Sequence, residues 1–232
     1  MKIILLLFVF VFTSYAAIDN AEQIIEKFSK VKGLDQVQNI YDFKISGLNS
    51  DEKGELQFNY YFLKPNFHRL DVKNNKINLR MTWDGKEGFA KAGIFPPQEL
   101  GDTEKIIMIS LFESIYSSIY EYQKNDYKFS LEGIVDNRGT NSFRILKTDK
   151  KGIVTDLLID TSNFLLRETI RLYDEFKDPI YCNTKLENYS DFKGIKIPKF
   201  ITLDLNNIIR NFKVDSVMFN IGLIPYDFKK PN

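Results

Sequence analysis

The stretch that decides the fold is Gly54 to Asp71, GELQFNYYFLKPNFHRLD. From position 56 to 62 every second residue is large and apolar (Leu, Phe, Tyr, Phe), which is the period of a β-strand with one strongly apolar face. Lys64 has the same parity as Phe62, so a cation ends that face, and Pro65 and Asn66 predict a turn into a second strand. An aromatic wall that ends in a positive charge suits the binding of an apolar ligand. An ordinary hairpin over an ordinary core explains the same strand pattern.

Composition favours one β-rich domain. The length of 232 residues and the 44% hydrophobic content can build a single core, and the 14% of aromatic residues indicate large pleated apolar surfaces. The 32 basic and 31 acidic residues leave a formal charge of +1. The sequence therefore has no basic field for a nucleic-acid backbone, and we expect no nucleic-acid partner.

The first residues are typical of a secretory signal peptide. Lys2 precedes an apolar run of about ten residues, well short of the ~20 that span a bilayer, and small residues follow at positions 14 and 16. We predict cleavage after Ala16, with Ala17 as an alternative. No cysteine lies near the cut, so we expect an exported, soluble and unlipidated domain over residues 17–232. We also expect it to be a monomer.

Two helices are predicted. Asp19 or Asn20 can cap the first, which runs from Ala21 to about Lys32 and ends at Gly33. Its apolar face consists of Ala21, Ile24, Ile25, Phe28 and Val31. The second runs from Thr103 to about Lys124 and is apolar over most of its girth, which predicts burial on several sides.

The remaining segments alternate between apolar strands and polar turns. Turns are predicted over 49–54, at 74–75 and at 84–85, and the prolines at 96 and 97 break the meander. About ten strands present more apolar surface than one short N-terminal helix can cover. We therefore predict an α+β fold, in which the helices pack into the concave side of a strongly curved, incompletely closed antiparallel sheet.

The sequence offers little for catalysis. It lacks a nucleophile elbow, a phosphate-binding loop, paired cysteines and a zinc-binding helix motif, so we predict no cofactor, no metal and no enzyme activity. His68, the single histidine, is interpreted as a strand-surface or turn residue. A hydrolase that uses His68 with a carboxylate is a less favoured alternative. Cys182, the single cysteine, is predicted to be a small core hydrophobe on a strand.

Several short motifs, in this order and spacing, resemble the LolA-like outer-membrane lipoprotein-sorting family. They are Lys64-Pro65-Asn66, Trp83-Asp84-Gly85-Lys86, Leu157-Leu158-Ile159-Asp160, Leu166-Arg167-Glu168, Tyr189-Ser190-Asp191-Phe192, Gly194 and Ile197-Pro198. The resemblance covers most of the chain beyond the signal peptide. It implies a half-barrel whose helices close an apolar cavity for lipoprotein acyl chains.

The resemblance also implies a function and a site. The function is a periplasmic carrier of lipoprotein or lipid acyl chains toward the outer membrane, with an inner-membrane exporter and an outer-membrane acceptor as partners. The alternative is an envelope sensor or assembly module that binds a lipidated partner without moving it. The predicted cavity wall consists of Tyr41, Phe43, Phe58, Tyr60, Phe62, Leu79, Met81, Trp83 and Phe129. The predicted lid helix contributes Ile107, Leu111, Phe112 and Ile115.

Lys64 is the predicted latch of the lid, and a solvated strand end is the alternative interpretation. The family commonly has Arg-Pro-Asn at this turn, and its arginine holds the lid shut through hydrogen bonds to lid backbone. This sequence has Lys-Pro-Asn instead, and an arginine, Arg69, occurs only beyond the turn. An ammonium has three donors at one point where a guanidinium has a planar fork of five, so a lysine latch should hold more loosely.

Overall fold

A computed structural model describes residues 20–51, 54–116, 127–174 and 178–231. The predicted signal peptide and the predicted end of the second helix, residues 117–124, lie outside the described residues.

The described helices begin and end where local signals place them. Helix α1 spans Ala21–Lys32, α2 spans Leu34–Val37 and α3 spans Asp102–Tyr116. Asn20 and Gln23 form a capping box, in which each side chain accepts a hydrogen bond from the other's backbone N–H at 2.9 and 3.1 Å. Gly33 ends α1 in the left-handed conformation, with φ of 78°. The predicted bounds of α1 are confirmed.

The buried face of α1 differs from the prediction at its last turn. Ala21, Ile24, Ile25 and Phe28 are buried as expected, whereas Val31 is 39% exposed and Lys32 is 1% exposed. Position 32 follows Phe28 by four residues and therefore lies on the same side of the helix. The prediction that Val31 is buried was wrong. Hydropathy alone favours a valine over a lysine for a buried position, and the helix buries the lysine next to it.

The described strands alternate with short turns along the whole chain. They are β1 Asp42–Asp51, β2 Gly54–Leu63, β3 Phe67–Lys73, β4 Asn78–Trp83, β5 Gly88–Ala92, β6 Gln98–Glu99, β7 Lys128–Asp136, β8 Asn141–Thr148, β9 Val154–Asp160, β10 Leu166–Tyr173, β11 Ile180–Phe192, β12 Ile195–Leu205 and β13 Ile208–Phe219. A 3₁₀ turn, Pro225–Phe228, follows the last strand.

The described strands form one antiparallel, open sheet with the order β6-β5-β4-β3-β2-β1-β13-β12-β11-β10-β9-β8-β7. Pairing between β1 and β13 joins the first and last strands of the chain, which gives two meanders in one sheet. The predicted fold class is confirmed, and the sequence reading missed only the short strands β5 and β6. The predicted turn over 49–54 was too wide, because Asp51 still pairs with Gly54.

The helices lie in one core with the inner face of the sheet. Helix α1 contacts both β12 and the edge strand β7. These strands are five positions apart in the sheet order, which is about 24 Å in a flat sheet, whereas α1 itself is about 18 Å long. The sheet therefore curves around α1. Across the described segments, we find no helix with the length and apolar character that a membrane span requires.

Candidate ligand site beneath helix α3

A row of aromatic side chains crosses the sheet near the start of β1. Adjacent strands pair Phe43 with Phe62, Phe62 with His68, and His68 with Trp83. Neighbouring rings are in contact: the ring centroids lie 5.2 Å apart for Phe43 and Phe62, 5.3 Å for Phe62 and His68, and 5.1 Å for His68 and Trp83. The register of four strands thus builds one continuous surface, which we call the aromatic row (Phe43, Phe62, His68 and Trp83).

Helix α3 covers the aromatic row. The ring of Phe112 lies 4.6 Å from that of Phe62 and 5.6 Å from that of His68, and Tyr116 lies one turn further along the helix, 5.7 Å from Phe62. Leu111 and Ile115 of the predicted lid helix are buried in the same core, and Ile107 is half-buried against it. The space between the aromatic row and α3 is therefore filled by α3 itself.

The other predicted wall residues lie in four places: on β2, on β4, on β7 and before β1. Phe58 and Tyr60 are buried on β2, and Phe58 packs edge-on against Phe212 of β13. Met81 is buried and Leu79 half-buried on β4, whereas Phe129 is half-buried on the distant edge strand β7. Tyr41 lies apart from the wall, since it precedes β1 and is 65% exposed.

His68 is buried instead of lying at the surface, so its interpretation as a strand-surface or turn residue was wrong. Its ring is 2% exposed, accepts a hydrogen bond from the Tyr60 hydroxyl at Nδ1 (2.6 Å) and donates from Nε2 to the Asn66 side chain (2.7 Å). Burial lowers its pKa to about 3, so the ring is neutral at physiological pH. Both ring nitrogens are used by uncharged partners, an arrangement that differs from a histidine oriented by a catalytic carboxylate.

Lys64 contacts both the end of α2 and helix α3. Its Nζ donates to the carbonyl of Gln38, just after α2, at 3.3 Å and lies 5.5 Å from the ring centroid of Tyr116 on α3. The lysine thus joins the turn after β2 to both the α2 end and α3. Arg69 is engaged elsewhere, because it forms an ion pair with Asp71 at 2.5 Å.

Two further polar contacts hold α3 against the N-terminal helices. The Tyr116 hydroxyl donates to the carbonyl of Val37 at 3.3 Å, and Lys32 Nζ donates to the carbonyl of Ser114 at 3.1 Å. Sequence reasoning missed Lys32. Its spacing of four from Phe28, on the otherwise apolar face of α1, is the signal that could have found it.

An open cleft of about 880 Å³ lies at the other end of β2 and β3. Its lining is mostly polar: Leu48, Glu55, Leu56, Gln57, Lys73, Asn74, Asn75, Lys76 and Ile77. Hydrocarbon gains little from such a surface, so the aromatic row beneath α3 is the better candidate for an apolar ligand.

Groups that could hold a metal are absent from the described segments: no three His, Cys, Asp or Glu side chains converge there. Cys182 is a free thiol buried on β11, as predicted for a core hydrophobe, and burial raises its pKa. What the described residues offer near the aromatic row is apolar surface and a helix that can cover it.

Comparison with known proteins identifies the fold. No protein-family model and no curated protein matches the chain. Among solved structures, a DUF1329 family protein from Desulfovibrio piger aligns with a TM-score of 0.59 and 11% identity, over 91% of this chain and 98% of that one. A LolA superfamily protein from Nitrosomonas europaea aligns with a TM-score of 0.54 and 12% identity, over 92% and 99%.

A third structure carries the same architecture. The outer membrane lipoprotein-sorting protein domain from Vibrio parahaemolyticus aligns with a TM-score of 0.55 and 11% identity, over 91% of this chain and 98% of that one. Identities this low compare folds only, and each alignment covers nearly the whole of both chains. This chain therefore has the LolA-like fold that its sequence motifs predicted.

Proposed function

We propose that this protein is a carrier for acyl chains of lipids or lipoproteins, which it binds between the aromatic row and α3 and releases without covalent chemistry. The observation that carries this proposal is α3 itself. A helix that is apolar over most of its girth covers an aromatic surface on an open sheet, and Lys32, Lys64 and Tyr116 contribute polar contacts that hold it there.

The energetics favour exchange of α3 for a ligand. Burying ten methylene groups of an acyl chain returns about 8 kcal/mol at ~0.8 kcal/mol per group. The polar contacts from Lys32, Lys64 and Tyr116 that hold α3 contribute about 1 kcal/mol each. Apolar contacts between α3 and the sheet are lost on opening, and contacts between the ligand and the same surface replace them. A carrier needs this near balance, because a ligand bound too tightly is not released.

The fold supports the finer parts of the proposal. The solved structures that share it include a lipoprotein-sorting domain and a LolA superfamily protein. We extend their architecture to transport in the periplasm toward the outer membrane, with an inner-membrane exporter as donor and an outer-membrane acceptor. The predicted signal peptide is consistent with that location.

A disulfide that locks α3 to the sheet tests the proposal. Ser110 of α3 places its Oγ 3.7 Å from the Sγ of Cys182 on β11. The variant Ser110→Cys brings two thiols together, and oxidation should link α3 to β11. We expect the oxidised variant to lose uptake of a fluorescent acyl probe and to recover it after reduction.

The matched control is Ser110→Cys combined with Cys182→Ala, which has one thiol and cannot lock. It should bind the probe under both conditions. Mass analysis of the oxidised variant establishes that the disulfide has formed. If the locked protein binds the probe as well as the reduced one, ligand does not enter beneath α3 and the proposal is wrong.

A further inference from the structure

Lys32 is a buried cation between two helices. It is the last residue of α1, and its side chain is 1% exposed. The ammonium donates to the carbonyl of Ser114 at 3.1 Å and lies 5.2 Å from the ring centroid of Tyr189. The Tyr189 hydroxyl donates to the carbonyl of Leu166 at 2.6 Å, which fixes the ring that faces the lysine.

No carboxylate of the described chain pairs with this ammonium. Desolvation by burial lowers the pKa of Lys32 to about 7, and no charge among the residues that the structure describes opposes it. A buried charge without a counter-ion is costly, and a methionine of similar length would fill the same space without that cost. The position therefore calls for an explanation beyond packing.

Opening of α3 changes the surroundings of Lys32 in a specific way. The Ser114 carbonyl belongs to α3 and leaves with it, whereas Lys32 and Tyr189 belong to α1 and β11 and stay. Helix α3 contacts both β11, which carries Tyr189, and β3, which carries His68 of the aromatic row. Movement of α3 would thus uncover an ammonium on the β11 side of the space that we assign to the acyl chain.

We propose that Lys32 binds the anionic head group of the ligand, a carboxylate or a phosphate, while the acyl chain lies on the aromatic row. This inference rests on the proposed function and names the class of its ligand: acyl chains that carry a negative charge at one end. In the closed protein the Ser114 carbonyl occupies the place of the anionic oxygen. A charge-assisted hydrogen bond to an anion is stronger than the bond to this neutral carbonyl, so an anionic ligand competes better for the open form than a neutral one.

Ligands with one chain length and different head groups test the inference. Palmitate, hexadecyl phosphate and hexadecanol should each be competed against a fluorescent acyl probe bound to the full-length mature protein. We expect one or both anions to bind about tenfold more tightly than hexadecanol, as a charged hydrogen bond at a desolvated site allows. A preference for palmitate alone indicates a free fatty acid, and a preference for hexadecyl phosphate alone indicates a phospholipid.

The variant Lys32→Met should remove this preference, so that the three ligands bind with equal affinity. Because loss of the hydrogen bond from Lys32 to Ser114 also weakens the closed position of α3, the measured quantity is the ratio of the anion affinities to the hexadecanol affinity. Lys30→Met is the matched control, because Lys30 is exposed on the same turn of α1 and should keep the preference. If Lys32→Met does not fold, Lys32→Gln keeps a hydrogen-bond donor without the charge and serves the same comparison.

Two results would overturn the inference: equal affinity of the wild-type protein for all three ligands, or a preference for anions that survives loss of the Lys32 charge. Lys32 would then be only a link between α1 and α3. Failure to bind any of the three ligands is a different outcome, since it refutes the carrier function itself.

Discussion

Phe112→Ala should weaken the fold and yet strengthen ligand binding. Two ring contacts dock Phe112 onto the aromatic row, 4.6 Å from Phe62 and 5.6 Å from His68. Each aromatic pair is worth about 1 kcal/mol, so the closed position of α3 should lose about 2 kcal/mol. For a domain of this size that loss lowers the melting temperature by about 4–8 °C.

The affinity for ligand should increase if α3 competes with the ligand. Only molecules with α3 open can bind, so the apparent affinity is the intrinsic affinity multiplied by the open fraction. Weakening the closed state by 2 kcal/mol raises that fraction, and with it the apparent affinity, by about 30-fold. Titration of the fluorescent acyl probe into wild type and variant measures this change.

Phe58→Ala is the control, since the described ring contact of Phe58 is to Phe212 of β13. It should lose stability, by about 3–5 kcal/mol for a truncated core aromatic, without a gain in affinity. A Phe112→Ala protein that binds the probe no better than wild type would refute competition between α3 and the ligand.

Three further predictions concern His68, Lys64 and Gly33. Because His68 is neutral in the folded chain, with a pKa of about 3, and takes up a proton near pH 6.5 once unfolded, the stability that it contributes is present above pH 6.5 and lost as the pH falls toward 3. Between pH 6.5 and 3, the free energy of unfolding from denaturant titrations should fall with decreasing pH more steeply in wild type than in His68→Gln, by up to about 1.4 kcal/mol per pH unit. Equal slopes in the two proteins would contradict this. Lys64→Arg should slow stopped-flow uptake of the probe, whereas Lys64→Met removes the contacts to Gln38 and Tyr116 and should speed entry; unchanged rates in both would exclude a latch. Gly33→Ala should lower the free energy of unfolding by roughly 2 kcal/mol or more, because a Cβ would collide with the Gly194 carbonyl and because φ of residue 33 is positive. Thermal denaturation measures the loss. An unchanged melting temperature would contradict the prediction.

Local signals account for what the sequence could predict. The capping box at Asn20 and the left-handed Gly33 determine α1 within the helix itself, so its bounds follow from neighbouring residues. Alternation in β2 predicts which side chains share a face, and the register of the sheet then places Phe62 beside Phe43 and His68. The excess of apolar strand surface over one short helix predicted the curvature, and the order of the motifs added the helical lid.

Long-range contacts account for what the sequence could not predict. His68 looks polar and exposed in its strand, and only pairing with the Tyr60 hydroxyl and Asn66 permits its burial. Lys32 is buried because α3, more than 80 positions away, supplies a carbonyl. Strand β6 is two residues long and exists by pairing with β5, so no periodicity could reveal it. The filled space beneath α3 depends on how rings from β1, β2, β3 and α3 meet, which local patterns do not contain.

Trp83 offers the most direct measurement of the central claim, that the acyl chain lies on the aromatic row. It is the single tryptophan of the chain, and its ring is stacked 5.1 Å from His68 within that row. A fatty acid that carries bromine atoms along its chain quenches tryptophan fluorescence on contact. We expect binding of the brominated fatty acid to quench Trp83 strongly, and an unbrominated chain of the same length to restore the emission by competition. Saturable binding of the brominated ligand with Trp83 emission unchanged would contradict the account, because the acyl chain would then lie elsewhere.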